Sequence, residues 1–336
     1  MEEASWPFGL SETQLLPVLE AVAGAQIADW TVRTRPAVQD DPSGNKRLLT
    51  FLYTTPDGVP GEATLFAKRC VWKGKSEAVH YRYLAARDVP AARLYGALRD
   101  DGGEKIIFLE CLTEVGFRDQ SEAEWRSLLS LLARFNACAV APDYAPHLHR
   151  FEQVGKIGGG VWLTGLDADP ADEQVAADLG ACGIRQEDRP ALQQAARTLF
   201  ARVAAQPRGL LHQDFMSNNV GWRGGRTEIV VFDLHKNALG PRFADVAPYL
   251  ASPDWSDSKA FLDGLGSGAV SRREALTRHY LEEYARFGGP MVSLATFREE
   301  TAALFWMHKV SALWWLIEQN HQDRVRETLD ALRQFH

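Results

Sequence analysis

Two polar side chains at a fixed spacing, followed by a third at the end of an apolar strand, most constrain how this chain folds. Asp214 and Asn219 lie five positions apart, after the apolar residues that lead to His212. The β-branched run at residues 229–232 then ends at Asp233. A short apolar run bounded by turn residues predicts a buried strand. The fold therefore has to present Asp214 and Asn219 in a loop and Asp233 at the end of a strand.

These residue types fit phosphoryl transfer. Magnesium prefers hard oxygen ligands, and a carboxylate can orient an acceptor hydroxyl group and take its proton. The order aspartate, four residues, asparagine, short strand, aspartate matches the kinase arrangement of a catalytic loop followed by a metal-binding aspartate. The alternative is a surface turn rich in Asp and Asn between two strands, which is a common feature of proteins.

The loop also resembles that of a known family. The residues HQDFMSNN at positions 212–219 are similar to the HxDxxxxN loop of aminoglycoside phosphotransferases and their choline-kinase-like relatives, which share the protein-kinase fold. The resemblance implies that Asp214 is the catalytic aspartate and that Asn219 and Asp233 are magnesium ligands. It also implies ATP or GTP as co-substrate and a hydroxyl-bearing small molecule as acceptor. The family often has glycine at the position of Gln213.

Composition argues against several classes of protein. The 336 residues carry a net charge of -7, which disfavours a general affinity for nucleic acid or anionic membranes. No segment approaches the roughly 18 apolar residues of a membrane helix, and the first residues lack the pattern of a secretory signal. The four cysteines are widely spaced, which is typical of reduced thiols rather than of a disulfide framework or a zinc site. We expect a cytoplasmic protein.

The first third of the chain predicts a helix followed by a sheet. Residues 11–23 begin with an N-cap serine and carry apolar residues at helical spacing up to Gly24. Extended segments separated by turn residues then predict an antiparallel meander that closes with five strands. These segments are residues 25–33, 47–54, 63–70, 89–95 and 105–112.

One of these strands carries a lysine among apolar neighbours. Burial of the Lys68 ammonium group is costly without a partner, and Glu77 follows in a helix predicted at residues 76–84. Helical spacing places Glu77, Tyr81 and Leu84 along one side of that helix. The family resemblance implies that Lys68 contacts the α- and β-phosphates of the nucleotide and is held by Glu77. The alternative is a solvated lysine on an edge strand and a glutamate on a helix surface.

Two further segments bind the nucleotide if the fold is kinase-like. The first hairpin loop of such a fold covers the phosphates, which makes Ser43, Gly44 and Asn45 phosphate-loop candidates, although the G-x-G-x-x-G pattern is absent. An ordinary hairpin turn is the alternative. The resemblance also implies that the purine hydrogen-bonds to the backbone of a hinge that includes Glu110 and Leu112. A plain core strand followed by a loop is the alternative for that segment.

The pattern becomes helical after residue 120. Helices are predicted at residues 121–135, 190–204, 272–287, 297–318 and 323–335. We therefore predict a nucleotide-binding lobe at residues 1–112, with a hinge at its end, and a helical lobe with catalytic loop and acceptor site at residues 113–336. The irregular residues 141–170 form either a border of the substrate cleft or a solvent loop. By resemblance, Asp245 starts a helix and braces the second lobe.

Aromatic and acidic residues near the C-terminus are candidates for acceptor recognition. One of Trp306, Trp314 or Trp315 is a candidate wall of the acceptor pocket, although an aromatic stripe of this kind is usually core. Glu299 and Glu300 are candidates for recognising an amino group. Two exposed carboxylates on a helix surface are the alternative.

Together these features predict an α+β protein with a two-lobed protein-kinase-like fold. A five-stranded antiparallel sheet forms the N-terminal lobe, and the C-terminal lobe is larger and helical. We expect transfer of the γ-phosphoryl group of ATP or GTP, with Mg²⁺, to a hydroxyl group of a small molecule. An aminoglycoside or another antibiotic is the first acceptor to expect, because the loop resembles that of antibiotic-modifying members.

Two other functions are compatible with the same motifs. One is a kinase of a metabolite such as an amino alcohol or a sugar. The other is a catalytically silent nucleotide-binding regulator, which the presence of all four motif residues disfavours. These residues are Lys68, Asp214, Asn219 and Asp233. No nucleic acid or membrane partner is expected, and the sequence leaves the oligomeric state open.

Overall fold

A computed structural model describes most of the chain and divides it into two compact units. The described residues are 7–37, 44–70, 76–100, 103–116, 121–151, 177, 180, 184–215, 217–250, 269–318 and 322–332. The first unit comprises Met1–Gly116 and Asn218–His235, and the second comprises Phe117–Ser217 and Lys236–His336. A domain boundary at residue 112 stays a prediction; the compact units place the later segment Asn218–His235 with the N-terminal residues.

A five-stranded antiparallel sheet is the centre of the first unit. Its strands are β1 (Asp29–Pro36), β2 (Lys46–Thr54), β3 (Pro60–Arg69), β4 (Leu94–Asp100) and β5 (Gly103–Glu110). They follow one another in the order β1-β2-β3-β5-β4. The predicted five antiparallel strands are confirmed, but the order is not a simple meander. The apolar strand β5 occupies the inner position beside β3, with Ile106, Ile107 and Phe108 buried.

Two strands begin later than the sequence pattern predicted. β1 starts at Asp29 rather than at residue 25, because Asp29 lies opposite Thr54, the last residue of β2. β4 starts at Leu94 rather than at residue 89. Residues 90–92 instead bond to Val231, whose backbone donates to Pro90 and accepts from Ala92.

One helix covers the sheet and a second follows β3. Helix α1 (Glu12–Ala23) buries Leu15 and Leu19 with the sheet residues Leu49 and Phe51, and it ends at Gly24 in the left-handed conformation. Both ends agree with the prediction. Helix α2 is Glu77–Ala85, one residue later than predicted at each end. A three-stranded sheet completes the first unit, with strands β6 (Glu114–Val115), β9 (Val220–Arg223) and β10 (Glu228–Val231).

The second unit is built mainly from helices around a small sheet. The sheet contains β7 (His149–Arg150), β8 (Arg208–Leu211) and β11 (Ala238–Pro241), in the order β7-β11-β8. The helices are α3 (Glu122–Ala137), α4 (Arg189–Ala204), α5 (Ala247–Leu250), α6 (Ala269–Arg286), α7 (Leu294–Glu318) and α8 (Gln322–Leu332). The predicted helices are therefore present, with shifts of a few residues at their ends. Of the predicted irregular segment, residues 152–170 lie outside the described residues.

Helix α3 begins at a cap of the predicted kind and buries one face. The Ser121 hydroxyl accepts a hydrogen bond from the backbone N–H of Glu124 at 3.2 Å, which satisfies one of the free N–H groups of the first turn. Trp125, Leu128 and Leu132 lie on the buried face. Within the described ranges, none of the helices combines the length and the apolar character needed to cross a membrane.

Candidate active site

The candidate catalytic loop follows strand β8, and strand pairing fixes what lies beside it. Leu211 of β8 is opposite Ala238 of β11, so the residues after Leu211 run alongside those before Ala238. Asp214 belongs to the stretch after Leu211, and Lys236 belongs to the stretch before Ala238. The Lys236 Nζ donates a hydrogen bond to Asp214 Oδ2 at 2.8 Å. About a quarter of each side chain is exposed. The candidate base is thus both accessible and paired with a cation.

Asp245 holds the backbone of this loop. Its carboxylate accepts from the backbone N–H of His212 at 2.7 Å and of Gln213 at 2.9 Å. The side chain of Asn136 donates to the same carboxylate at 3.1 Å. Burial raises the pKa of Asp245 above its ordinary value. Three donors on one buried carboxylate are consistent with the bracing role predicted for Asp245.

Two residues of the site have a left-handed backbone without being glycine. Gln213 has φ of 68° and Asp233 has φ of 63°. Such conformations cost of order 1 kcal/mol or more and are retained where the surroundings fix them, often at functional sites. The left-handed backbone at Gln213 gives a physical reason why glycine suits this position. Gln213 directly precedes the candidate base Asp214, and Asp233 is itself a candidate metal ligand.

The two candidate metal ligands lie at the same end of the β9–β10 hairpin. Val220 is opposite Val231, and the N–H of Phe232 donates to the carbonyl of Asn219 at 3.0 Å. This pairing places Asn219 just before one strand and Asp233 just after the other. Asn219 is buried, and the Asp233 side chain is only 15% exposed.

Lys68 contacts both an acidic residue of helix α2 and the candidate metal ligand. Its ammonium group donates to Glu77 Oε2 at 2.8 Å and to Asp233 Oδ1. Burial lowers the pKa of Lys68, but the charges of Glu77 and Asp233 outweigh burial and raise it. Lys68 therefore remains charged although its side chain is buried. The predicted pairing of Lys68 with Glu77 is present in the structure, whereas their roles toward a nucleotide stay predictions.

Helix α2 is joined to the residues after β10 by a short hydrogen-bond network. The N–H of Asp233 donates to the Tyr81 hydroxyl at 3.0 Å, and the N–H of Leu234 donates to Glu77 Oε1 at 3.1 Å. Glu77, Tyr81 and Leu84 are all buried, which agrees with the prediction that they lie along one side of the helix. The network fixes the backbone at Asp233 and so the direction of its carboxylate.

Two basic side chains beside Asp233 were not predicted. His235 Nδ1 lies 2.6 Å from Asp233 Oδ1, and Lys46 Nζ lies 3.7 Å from Asp233 Oδ2. Burial raises the pKa of Asp233, but the hydrogen bond from His235 and the charge of Lys68 lower it well below its usual range. Asp233 is consequently ionised at neutral pH. Lys46 lies opposite Lys68 across β2 and β3, a register that the sequence pattern does not give.

The phosphate-loop candidates lie at the end of the sheet that carries Lys68. The carbonyl of Asn45 accepts from the N–H of Arg69 at 2.8 Å. Gly44 has φ of 62°, a conformation that favours glycine. Ser43 lies outside the described residues. Gly44 and Asn45 therefore lie near Lys68, as expected for residues of a phosphate-binding loop.

The hinge candidates are fixed to neighbouring strands. The Glu110 carboxylate accepts from Arg223 Nε and Nη2, each at 2.7 Å, and the Glu110 N–H donates to the Arg93 carbonyl. Leu112 lies against Gly221 so closely that an added Cβ there would be 2.6 Å from Leu112 Cδ1. The Glu110 side chain and N–H are thus occupied within the protein, so this N–H is not the hinge group that would bind a purine. The hinge role of the segment from Glu110 to Leu112 stays a prediction.

The acceptor candidates near the C-terminus have different surroundings. Glu300 is largely buried and accepts from Arg242 Nε at 2.9 Å and from Nη2 at 2.6 Å, whereas Glu299 is exposed and lies 3.3 Å from Arg202. Trp306 is half-buried and packs edge-on against the neighbouring Phe305. Trp314 and Trp315 belong to α7, but their side chains lie outside the described part of the chain.

Replacing Asn136 by alanine is expected to destabilise the second unit by about 2–4 kcal/mol, because buried polar partners lose their hydrogen bonds. Asn136 donates to the Leu210 carbonyl and to Asp245, and accepts from the Tyr280 hydroxyl. Urea denaturation of the wild-type protein and the variant measures the difference. The exposed substitution Thr198→Ala on α4 is the control, and equal stability of Asn136→Ala and the wild type would contradict the bracing network.

Solved structures with similar architecture define the fold. A spectinomycin phosphotransferase, solved with ADP and spectinomycin, matches with a TM-score of 0.50 at 13% identity over 97% of this chain and 99% of its own. An ethanolamine kinase from Plasmodium vivax matches with a TM-score of 0.56 at 10% identity over 91% of this chain and 84% of its own. The predicted protein-kinase-like fold is confirmed.

A protein-family model assigns the chain to a family within this fold. Residues 75–286 match the phosphotransferase enzyme family called APH, and the match covers more than half of the chain. The chain belongs to this family, and the prediction of a small-molecule phosphotransferase enzyme is confirmed. Comparison with curated protein sequences gives no match.

Proposed function

We propose that this phosphotransferase moves the γ-phosphoryl group of ATP or GTP to a hydroxyl group of a small molecule. The observation that supports the proposal most directly is the buried contact of Lys68 with Glu77 and Asp233. A charged lysine beside an ionised carboxylate is suited to phosphates and to the metal that accompanies them. Family membership supplies the reaction class, and the residue assignments below belong to the proposal.

Asp233 and Asn219 are the proposed magnesium ligands. The donor set fits this metal, since a carboxylate and an amide offer hard oxygen atoms at one end of a single hairpin. When bound, magnesium neutralises charge on the transferred phosphates. Lys68 binds phosphate oxygens, and Glu77 keeps its ammonium group in place. The ion pair between Lys68 and Asp233 holds both side chains in position before a ligand arrives.

Asp214 is the proposed base. It orients the acceptor hydroxyl group, whose oxygen forms a bond to the γ-phosphorus while the bond to the oxygen bridging the β- and γ-phosphates breaks. The hydroxyl proton passes to the Asp214 carboxylate, and the nucleoside diphosphate leaves. The backbone bonds from His212 and Gln213 to Asp245 fix the loop from which Asp214 acts.

The acceptor belongs to one of two proposed groups. An aminoglycoside or another antibiotic is one, in line with the spectinomycin phosphotransferase among the similar structures. A metabolite such as an amino alcohol or a sugar is the other, in line with the ethanolamine kinase. A panel that contains both groups, assayed for nucleoside diphosphate release with ATP and with GTP, distinguishes them.

Magnesium nucleotide is expected to stabilise the folded protein by about 2.7 kcal/mol at about 100 times Kd, because a ligand that binds only the folded state shifts the unfolding equilibrium. The melting temperature should rise by several degrees with ATP or GTP and less with magnesium alone. The variant Lys68→Met should lose most of this rise, whereas the same substitution at the exposed Lys105 of β5 should retain it. No rise with either nucleotide in the wild-type protein would count against the nucleotide site.

A further inference from the structure

A second lysine lies beside Lys68 on the five-stranded sheet. Lys46 is the first residue of β2, and the register of β2 and β3 places it directly opposite Lys68. Successive side chains of a strand point to opposite faces of its sheet. Leu49 of β2 and Ala67 of β3 belong to the core cluster that includes α1, so Lys46 and Lys68 both point to the other face. The sheet therefore presents two neighbouring ammonium groups on the face away from its core.

Asp233 supplies negative charge to both lysines. Its Oδ1 accepts a hydrogen bond from Lys68, and its Oδ2 lies 3.7 Å from Lys46 Nζ. Like charges directly opposite each other on paired strands are destabilising, so this pair of lysines needs an anion nearby. All three residues belong to the first unit. One carboxylate therefore serves two ammonium groups within that unit.

The two lysines differ in their access to a ligand. The Lys68 side chain is 9% exposed and is also held by Glu77, whereas the Lys46 side chain is 38% exposed. Lys46 directly follows the phosphate-loop candidates Gly44 and Asn45. The Asp233 carboxylate is also the proposed magnesium ligand, so its negative charge is shared with the metal when a nucleotide binds. The more exposed ammonium group, at Lys46, then needs another anion.

We propose that Lys46 binds the terminal phosphate of the nucleoside triphosphate. Lys68 is expected at the α- and β-phosphates, so the phosphate left for the neighbouring ammonium group is the γ-phosphate. An ammonium group and a phosphate oxygen form a charge-assisted hydrogen bond, which is about twice as strong as a neutral one. Lys46 thereby favours the triphosphate over the diphosphate that the reaction leaves. This inference rests on the proposed phosphotransfer and adds a residue to its nucleotide site.

Nucleotides that differ in their number of phosphates test this assignment. Titration calorimetry of the full chain with magnesium gives Kd for AMP-PNP, a triphosphate analogue that resists transfer, and for ADP and AMP. The guanine counterparts replace them if the wild-type protein prefers GTP. We expect Lys46→Met to weaken AMP-PNP binding about tenfold, through loss of a hydrogen bond to a charged group, and to change ADP and AMP binding by less than about twofold.

Further variants separate the charge of Lys46 from its bulk. Lys46→Arg keeps the charge and should retain the preference for AMP-PNP over ADP. Lys46→Gln removes the charge but keeps a polar side chain at this half-buried position, so it gives the same measurement if Lys46→Met does not fold. Lys105→Met makes the matched change at an exposed lysine of β5 and should leave all three affinities unaltered.

The outcomes distinguish this inference from the function on which it rests. Equal weakening of AMP-PNP and ADP binding would overturn the inference, because Lys46 would then act on both magnesium complexes through Asp233. Unchanged AMP-PNP binding in Lys46→Met and Lys46→Gln would also overturn it and leave the proposed function intact. A wild-type protein that binds neither AMP-PNP nor ADP, nor their guanine counterparts, would overturn the proposed function and this inference with it.

Discussion

Replacing Asp233 by asparagine is expected to lower kcat on the order of 10³-fold and to weaken magnesium-dependent nucleotide binding by about tenfold or more. The carboxylate is the proposed magnesium ligand with the greater charge, and the structure surrounds it with Lys68, His235 and Lys46. An amide at this position keeps one oxygen but no charge. Asparagine also accepts the left-handed backbone at Asp233, so the variant keeps the backbone conformation of the site.

Titration calorimetry with magnesium nucleotide and steady-state assays with the best acceptor measure the two effects. Asp88→Asn is a matched control, because Asp88 is an exposed aspartate of the same unit that also has a positive φ, of 54°. Its binding and turnover should equal those of the wild type. Nucleotide affinity of Asp233→Asn that is unchanged and equally dependent on magnesium would remove Asp233 from the metal site.

The pairing of Lys68 with Glu77 could be predicted because its cause is local. A lysine among apolar strand residues needs a partner, and helical spacing after the strand restricts which acidic residue can supply it. The structure places both side chains in the buried part of the first unit. The loop after β8 was equally predictable, since the apolar residues 210 and 211 and the β-branched strand β10 define its limits.

The order of strands in the first sheet depended on tertiary packing. The predicted meander would place β4 next to β3. In the structure β5 takes that position, and every residue from Ile106 to Leu109 is buried. A strand with apolar residues on both faces is most stable between two neighbours, and the more polar β4 is left at the edge. Periodicity gives the existence of such strands but not their neighbours.

The neighbours of the candidate catalytic residues could not be predicted for a related reason. Lys236 contacts Asp214 because β8 pairs with β11, and Arg242 contacts Glu300 although 58 residues separate them in the chain. Neither contact can be predicted from a local sequence pattern. Glu300 was consequently considered as an acceptor residue from sequence, whereas the structure gives it a buried arginine partner.

Each compact unit contributes its own pair of proposed active-site residues. Asn219 and Asp233 belong to the first unit, near the two ends of the segment Asn218–His235. Asp214 and Lys236 belong to the second unit and flank that segment in the sequence. The β9–β10 hairpin fixes the first pair, and the β8–β11 pairing fixes the second.

Asp214→Asn is expected to lower kcat by about 10²–10⁴, the usual contribution of a general base, with little change in nucleotide KM. In the loose transition state of phosphoryl transfer the attacking hydroxyl group keeps its proton until late, so position matters as much as basicity. Asparagine preserves shape and one acceptor oxygen but removes the charge. Some loss of position is also expected, because Lys236 no longer faces a carboxylate.

The comparison with Lys236→Gln and with the exposed Asp330→Asn of α8 assigns the loss to the base itself. Lys236→Gln breaks the same ion pair but keeps the Asp214 carboxylate, so its kcat with the best acceptor should fall much less. Asp330→Asn should retain full activity. A kcat of Asp214→Asn close to that of the wild type, measured with the best acceptor where chemistry limits turnover, would refute the assignment of Asp214 and leave another carboxylate to take the proton.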